Sequence, residues 1–362
     1  MPASAHAALA GTLASGYIAQ GIQVELFEKQ LAAYFGNQKL CAMSDVSGAL
    51  TLALFMAGVR PGDEVIVSPL VCLATSMPVA NLFAKPVWGD VDPATGMLDP
   101  AGISALVTER TRAILAYHWS GDVADLPALR GAANRHGLKL VEDASEAFGA
   151  EQDGRKLGNH GSDFCIYSFS AVRQITAGDG AALLCGSTGQ YEQARWLRRY
   201  GIHQASFRLP DGEPNPASDI PVPGFNFGMN NIAATIGLEQ LVHVDGLVAR
   251  QRANGCYLDL ALAGVAGISL LARRADSVSG YWTYSLRAER RDDLARKLRD
   301  NGIGCQRLHL RNDHYSCFDD RRRDGELPGV DRFDRENLSI PCGWWLTPEE
   351  RESIVACIRG GW

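Results

Sequence analysis

Four short apolar runs, 64–67, 87–90, 113–118 and 138–143, are separated by turn residues and helical stretches, and this alternation constrains the chain more than any other feature. Short apolar runs bounded by Gly, Pro and Asp read as buried strands. The segments between them, 101–108 and 126–136, repeat their apolar residues at helical spacing. Strand, helix and strand in succession build a mostly parallel sheet with helices on both faces, because parallel neighbours need a crossover to return the chain. Ligands on such sheets bind beyond the carboxyl ends of the strands. Asp143 and His118 each close one of these runs, so both are expected at that edge.

The stretch 163–185, DFCIYSFSAVRQITAGDGAALLC, is the second organising feature. It reads as a buried strand over 164–169, a polar turn through Arg173, a Gly-Asp-Gly bend at 178–180 and another buried strand over 181–185. Before the alternating region, an Ala-rich helix and an amphipathic helix over 24–35 are expected, then a polar turn from Ser44 that feeds an apolar helix ending near residue 58. After it come a helix over 190–200, a loop over 203–224 that holds five prolines, and a helix over 229–241. A large domain over 1–242 and a smaller one over 243–362 follow from this order, the second with a long helix, a strand over 281–288 and helices over 291–301 and 348–358.

With 46% hydrophobic and 21% charged residues, the chain reads as globular, and no apolar run reaches the roughly 18 residues of a membrane helix. The Ala-rich start lacks a basic n-region followed by a long apolar segment, so the cytoplasm is the expected compartment. The net charge of −6 holds no basic block. Arg321, Arg322 and Arg323 sit among Asp319, Asp320 and Asp324, so nucleic-acid binding is not expected. Nine cysteines are scattered without a C-x-x-C pair, mostly in apolar runs, which points to buried reduced thiols and to neither disulfides nor a metal site.

Four segments resemble the DegT/DnrJ/StrS sugar aminotransferases: Arg60-Pro-Gly-Asp-Glu-Val, Val141-Glu-Asp-Ala-Ser-Glu-Ala-Phe-Gly-Ala, the Ser168 segment, and Pro223-Gly-Phe-Asn-Phe-Gly-Met-Asn-Asn-Ile-Ala-Ala. The resemblance implies a fold-type-I architecture: a three-layer αβα large domain with a mostly parallel sheet, and a smaller α/β C-terminal domain. It implies pyridoxal or pyridoxamine phosphate as cofactor, a sugar or nucleotide-sugar substrate, and a homodimer with shared sites. Asp143 then matches the aspartate that pairs with the pyridine nitrogen, and a cap on the next helix is the plain alternative. Ser168 and Ser47 match cofactor-phosphate ligands, and Asn226 matches an asparagine that reaches the phosphate from the neighbouring subunit. As a plain helix N-cap, Asn226 would look the same in sequence.

The same alignment exposes departures. The lysine that forms the family's internal aldimine falls at Arg173, and a guanidinium, which stays protonated in proteins, cannot serve as a neutral amine nucleophile. Arg173 is a fixed charge and a five-fold donor suited to a carboxylate, phosphate or sugar oxygen. Val46 stands where the phosphate cradle has glycine, with Asp45 beside it. Cys72 replaces the aromatic that stacks on the ring, and Gly228 replaces an arginine. Glu146 replaces a glutamine or histidine, and is expected to pair with Arg173. None of the six lysines is placed as a convincing substitute imine former, Lys156 in its hairpin being the nearest to one.

The expectation is a diverged, lysine-free family member, its cofactor non-covalent if bound at all, with Glu146 or His118 as the base. A family precedent without the lysine uses histidine there and carries pyridoxamine phosphate non-covalently. The alternatives are a ligand-binding pseudoenzyme or a conventional aminotransferase. His309, His314 and Tyr315 fall where the family's second domain contributes substrate contacts, in sequence too irregular to assign.

Overall fold

A computed structural model describes residues 1–318 and 326–362; the arginine triplet at 321–323 lies outside them. Seven strands form the main sheet, in the order Leu40–Met43, Ala181–Cys185, Phe164–Ser168, Lys139–Asp143, Thr111–Tyr117, Glu64–Val67 and Lys85–Trp88. Neighbouring strands pair in parallel except that Ala181–Cys185 runs antiparallel to both of its partners. It can do so because a bend, not a crossover helix, joins it to Phe164–Ser168. Gly178 takes φ +83°, and a Cβ on Gly180 would meet the Met229 Cε at 2.7 Å. This is the α/β architecture that the alternation implies.

The sheet strands are short and apolar on both sides, so both faces must be covered. One face packs against the helix Val46–Met56, whose Leu50, Leu52 and Leu54 are fully buried. The other lies under the helices Ile22–Phe35 and Asn231–Leu241, with Phe27, Phe35, Phe148 and Tyr167 in the contact layer. A second sheet, Ile268–Leu270, Tyr284–Ala288 and Asn337–Ile340, forms its own core with the helices Val244–Leu262, Arg291–Asp300 and Pro348–Arg359.

Several expected boundaries shift. The run at 87–90 is a strand only over Lys85–Trp88, since Asp90 turns away to accept amide hydrogens from Val91, Gly329 and Val330. The helix expected over 101–108 shrinks to Ile103–Leu106 behind a 3₁₀ turn. The segment 203–224 carries one short helix, Gln204–Phe207. Four of the nine cysteines are buried, Cys41, Cys165, Cys185 and Cys342, while Cys256 and Cys317 are exposed; all nine are free thiols.

Among the described residues no single helix is long and apolar enough to cross a membrane. Only the pair Asn231–Leu241 and Val244–Leu262, bent by 61°, passes that test together, and its Ala234, Leu241, Val244 and Leu258 lie in the protein's own cores.

Candidate functional site

The carboxyl edge of the main sheet gathers the expected residues. Asp143 ends its strand in register with Tyr117 on one side and Ile166 on the other, and Ser168 lies two residues further along the third strand. Asp143 is buried and does not cap a helix. Its Oδ1 accepts the Ser145 amide hydrogen at 3.0 Å, and its Oδ2 accepts the Thr75 hydroxyl at 2.7 Å. Those two bonds fix the carboxylate's plane. Thr75 sits on the helix Leu73–Asn81, which the sequence reading did not anticipate.

Ser168 is buried, and its hydroxyl accepts the Ser170 amide at 3.3 Å. The helix Val46–Met56 begins nearby with Val46 and Ser47 half-buried. Its N-cap is Asp45, whose Oδ1 accepts the Gly48 amide at 2.6 Å while Oδ2 accepts the Ser44 hydroxyl at 2.8 Å. A helix start attracts anions through its free amides and its dipole. Here a protein carboxylate takes one of those amides. The Phe227 ring covers Gly48 closely enough that a Cβ there would meet it at 2.9 Å. Asn226 is exposed, on a backbone bridge to Arg199, and the N-cap of Asn231–Leu241 is Asn230, so the plain capping role for Asn226 does not hold.

Glu146 is fully buried, and the expected ion pair with Arg173 is not formed. Its Oε1 lies 2.8 Å from His309 Nε2, and its Oε2 accepts the Ser120 amide at 2.7 Å. The Tyr117 hydroxyl is 3.0 Å from the same His309 nitrogen. Burial works to raise the Glu146 pKa, but the His309 ring, the Arg173 charge and the Tyr117 hydroxyl outweigh it and hold the carboxyl below its ordinary value. Burial likewise lifts the Cys72 thiol and the Tyr117 phenol above theirs.

His118 is also corrected. It is fully buried, with Nε2 3.1 Å from Glu142 Oε2 and Nδ1 accepting the Ala124 amide at 3.1 Å. Both ring nitrogens are engaged inside the sheet, so it is a structural group and not a base. His309, 163 residues distant in sequence, is the histidine within hydrogen-bond distance of the Glu146 carboxylate.

Arg173 follows a turn in which its amide donates to the Ser170 carbonyl at 3.1 Å. Its guanidinium carbon lies 4.2 Å from the centroid of the Trp282 ring, which is held by an indole bond to the Val172 carbonyl at 3.0 Å. The Arg173 charge acts on Cys72, Tyr117 and Glu146 alike. Lys156 is occupied elsewhere, its ammonium 4.4 Å from the Tyr34 ring centroid and 3.8 Å from Glu151. Cys72 precedes the helix Leu73–Asn81, and Gly228 faces Gln20. Among the described residues no group of three or more His, Cys, Asp or Glu side chains is placed to hold a metal.

A seven-stranded, mostly parallel sheet with one antiparallel strand and a buried aspartate at its carboxyl edge fits the fold-type-I scaffold. The profile of the DegT/DnrJ/EryC1/StrS aminotransferase family matches residues 2–359. The chain belongs to that family. The solved sugar aminotransferase CalS13 from Micromonospora echinospora is 34% identical and superposes with a TM-score of 0.94, over 100% of this chain and 98% of that one. A dTDP-3-amino-3,4,6-trideoxy-alpha-D-glucose transaminase of Streptomyces venezuelae is 32% identical, over 99% of this chain and 92% of that protein. The structure of S. venezuelae DesV in complex with a ketimine intermediate is 31% identical with a TM-score of 0.90, over 99% of this chain and 94% of that one.

Proposed function

We propose that this chain is a lysine-free member of its family that acts on a nucleotide-sugar or aminosugar in a biosynthetic pathway, without tethering its cofactor. The observation that carries the reading is Arg173, a permanent cation in the turn between Phe164–Ser168 and Ala181–Cys185, where the resemblance puts the lysine. The nucleotide-sugar substrate follows from the S. venezuelae transaminase at 32% identity.

Pyridoxal or pyridoxamine phosphate fits this pocket in part. Asp143, oriented by Thr75 and Ser145, suits the pyridinium end. Ser168, Ser47 and, in a homodimer, the exposed Asn226 would hold the phosphate, against the charge of Asp45. Arg173 cannot form an imine and Lys156 is held against Tyr34 and Glu151, which supports a cofactor bound without a covalent link. When bound, the cofactor supplies an electron sink for carbon–nitrogen chemistry. The chain's own contribution is positional and protonic: Glu146 orients His309, and that pair replaces lysine as the group that moves protons. The changes at Asp45, Val46, Cys72 and Gly228 support a second reading, a ligand-binding protein that has lost the cofactor.

Incubation with pyridoxal phosphate, borohydride reduction and peptide mass spectrometry tests the first reading. Wild type is expected to yield no reduced adduct on a lysine of the cleft, whereas R173K yields one at position 173. An adduct on a cleft lysine of wild type refutes the proposal. Retention of cofactor absorbance through gel filtration separates the two readings.

A further inference from the structure

Arg173 is 9% exposed, and its Nε and Nη1 have no hydrogen-bond partner among the described residues. Removing a guanidinium from water without giving its hydrogens acceptors is costly, and proteins seldom leave one so. The two carboxylates closest in role do not fill the gap. Asp143 is committed to Thr75 and Ser145, and Glu146 to Ser120 and His309. Trp282 closes one face of the guanidinium at 4.2 Å, which leaves the in-plane N–H groups as the points of attachment.

The start of the helix Val46–Met56 carries a counter-charge of its own. Where the helix Val46–Met56 begins, the Asp45 carboxylate already accepts the Gly48 amide, so a negative group sits where the fold ordinarily receives one from a ligand. Arg173 thus lacks acceptors on Nε and Nη1 among the described residues, while the helix start already has its anion in Asp45.

We infer that Arg173 is the docking point for a carboxylate on the ligand, so that the substrate class is an acidic sugar, of the uronic or ulosonic kind, and not a neutral hexose. The inference rests on the sugar-directed reading given above and names the substrate class of the same site. A planar carboxylate matches in-plane donors, and its single charge tolerates the neighbouring Asp143 and Glu146 better than a phosphate dianion would. A sugar hydroxyl would leave the guanidinium charge without a counter-ion.

Thermal unfolding of the purified full chain tests this, using D-glucuronate and D-glucose as probes at matched ionic strength. Glucuronate is expected to raise the wild-type Tm and glucose to leave it unchanged, with the shift lost in R173M and partly kept in R173K. Without either probe, R173M is expected to unfold roughly 2–4 °C above wild type, because it removes an unpaired buried charge. A glucuronate shift that survives in R173M, or equal shifts from both probes, overturns the inference. So does an R173M Tm below that of wild type, which would mean that the guanidinium is already paired, for example across a subunit interface. Calorimetric binding of dTDP-glucose to wild type and R173M alike reports separately on the nucleotide-sugar reading.

Discussion

Single side chains decide what this pocket can do, and Glu146 shows how. Its carboxyl is buried, yet its hydrogen bonds keep it ionised below the ordinary carboxylate range. A depressed pKa in the folded state stabilises the protein above the unfolded value of about 4.3, and that contribution disappears as pH falls through the folded value. Urea unfolding across a pH series is therefore expected to show wild-type stability falling more steeply than that of E146Q below about pH 4. Equal slopes would mean that His309 does not favour the charged carboxyl. Asp143 and Ser168 were legible as strand-end positions, because motif and strand end coincide there. His309 falls where the resemblance implied substrate contacts, but its pairing with Glu146 was not legible, since nothing local marks a partner 163 residues away. His118 was legible as an edge residue but not as a buried one; Glu142, on the adjacent strand, claims it.

At the scale of elements, the boundaries that the sequence announced follow apolar runs closed by turn residues. Glu64–Val67, Leu126–His136 and Ala181–Cys185 begin and end where the pattern does. The strand Leu40–Met43 is four residues of undivided burial with no alternation to reveal it, and Leu73–Asn81 carries Pro78 in its interior, which reads as a break. Helix crossings depend on small residues that pattern alone does not single out. A Cβ at Gly237, on Asn231–Leu241, would meet the Phe27 ring at 2.5 Å, and Phe27 is fully buried. G237A gains roughly 1 kcal/mol of helix propensity but overpacks this contact. Chemical denaturation should show a net loss of about 1–3 kcal/mol, and a more stable variant would mean that the two helices separate freely.

Across the whole molecule, the proposed division at residue 242 is bridged by a partly buried ionic cluster. Arg273 reaches Asp122, beside the main sheet, at 2.7 Å and Asp259, on Val244–Leu262, at 2.7 Å, while Tyr281 and Tyr284 also donate to Asp259. Burial raises the Asp122 pKa against the pull of Arg273, so this carboxylate depends on its partner. R273A is expected to cost about 1–3 kcal/mol in denaturant unfolding, chiefly because it strands the buried Asp122 carboxylate. A loss below about 1 kcal/mol would show that water replaces the guanidinium and that the two parts are joined by apolar packing alone.

The cap that Asp45 places on its own helix has one more consequence. A helix start left open would gain order only when a visitor arrived, tying the resting protein's integrity to its cargo. This chain carries that counter-charge within its own sequence, so order at this helix start does not wait on a ligand.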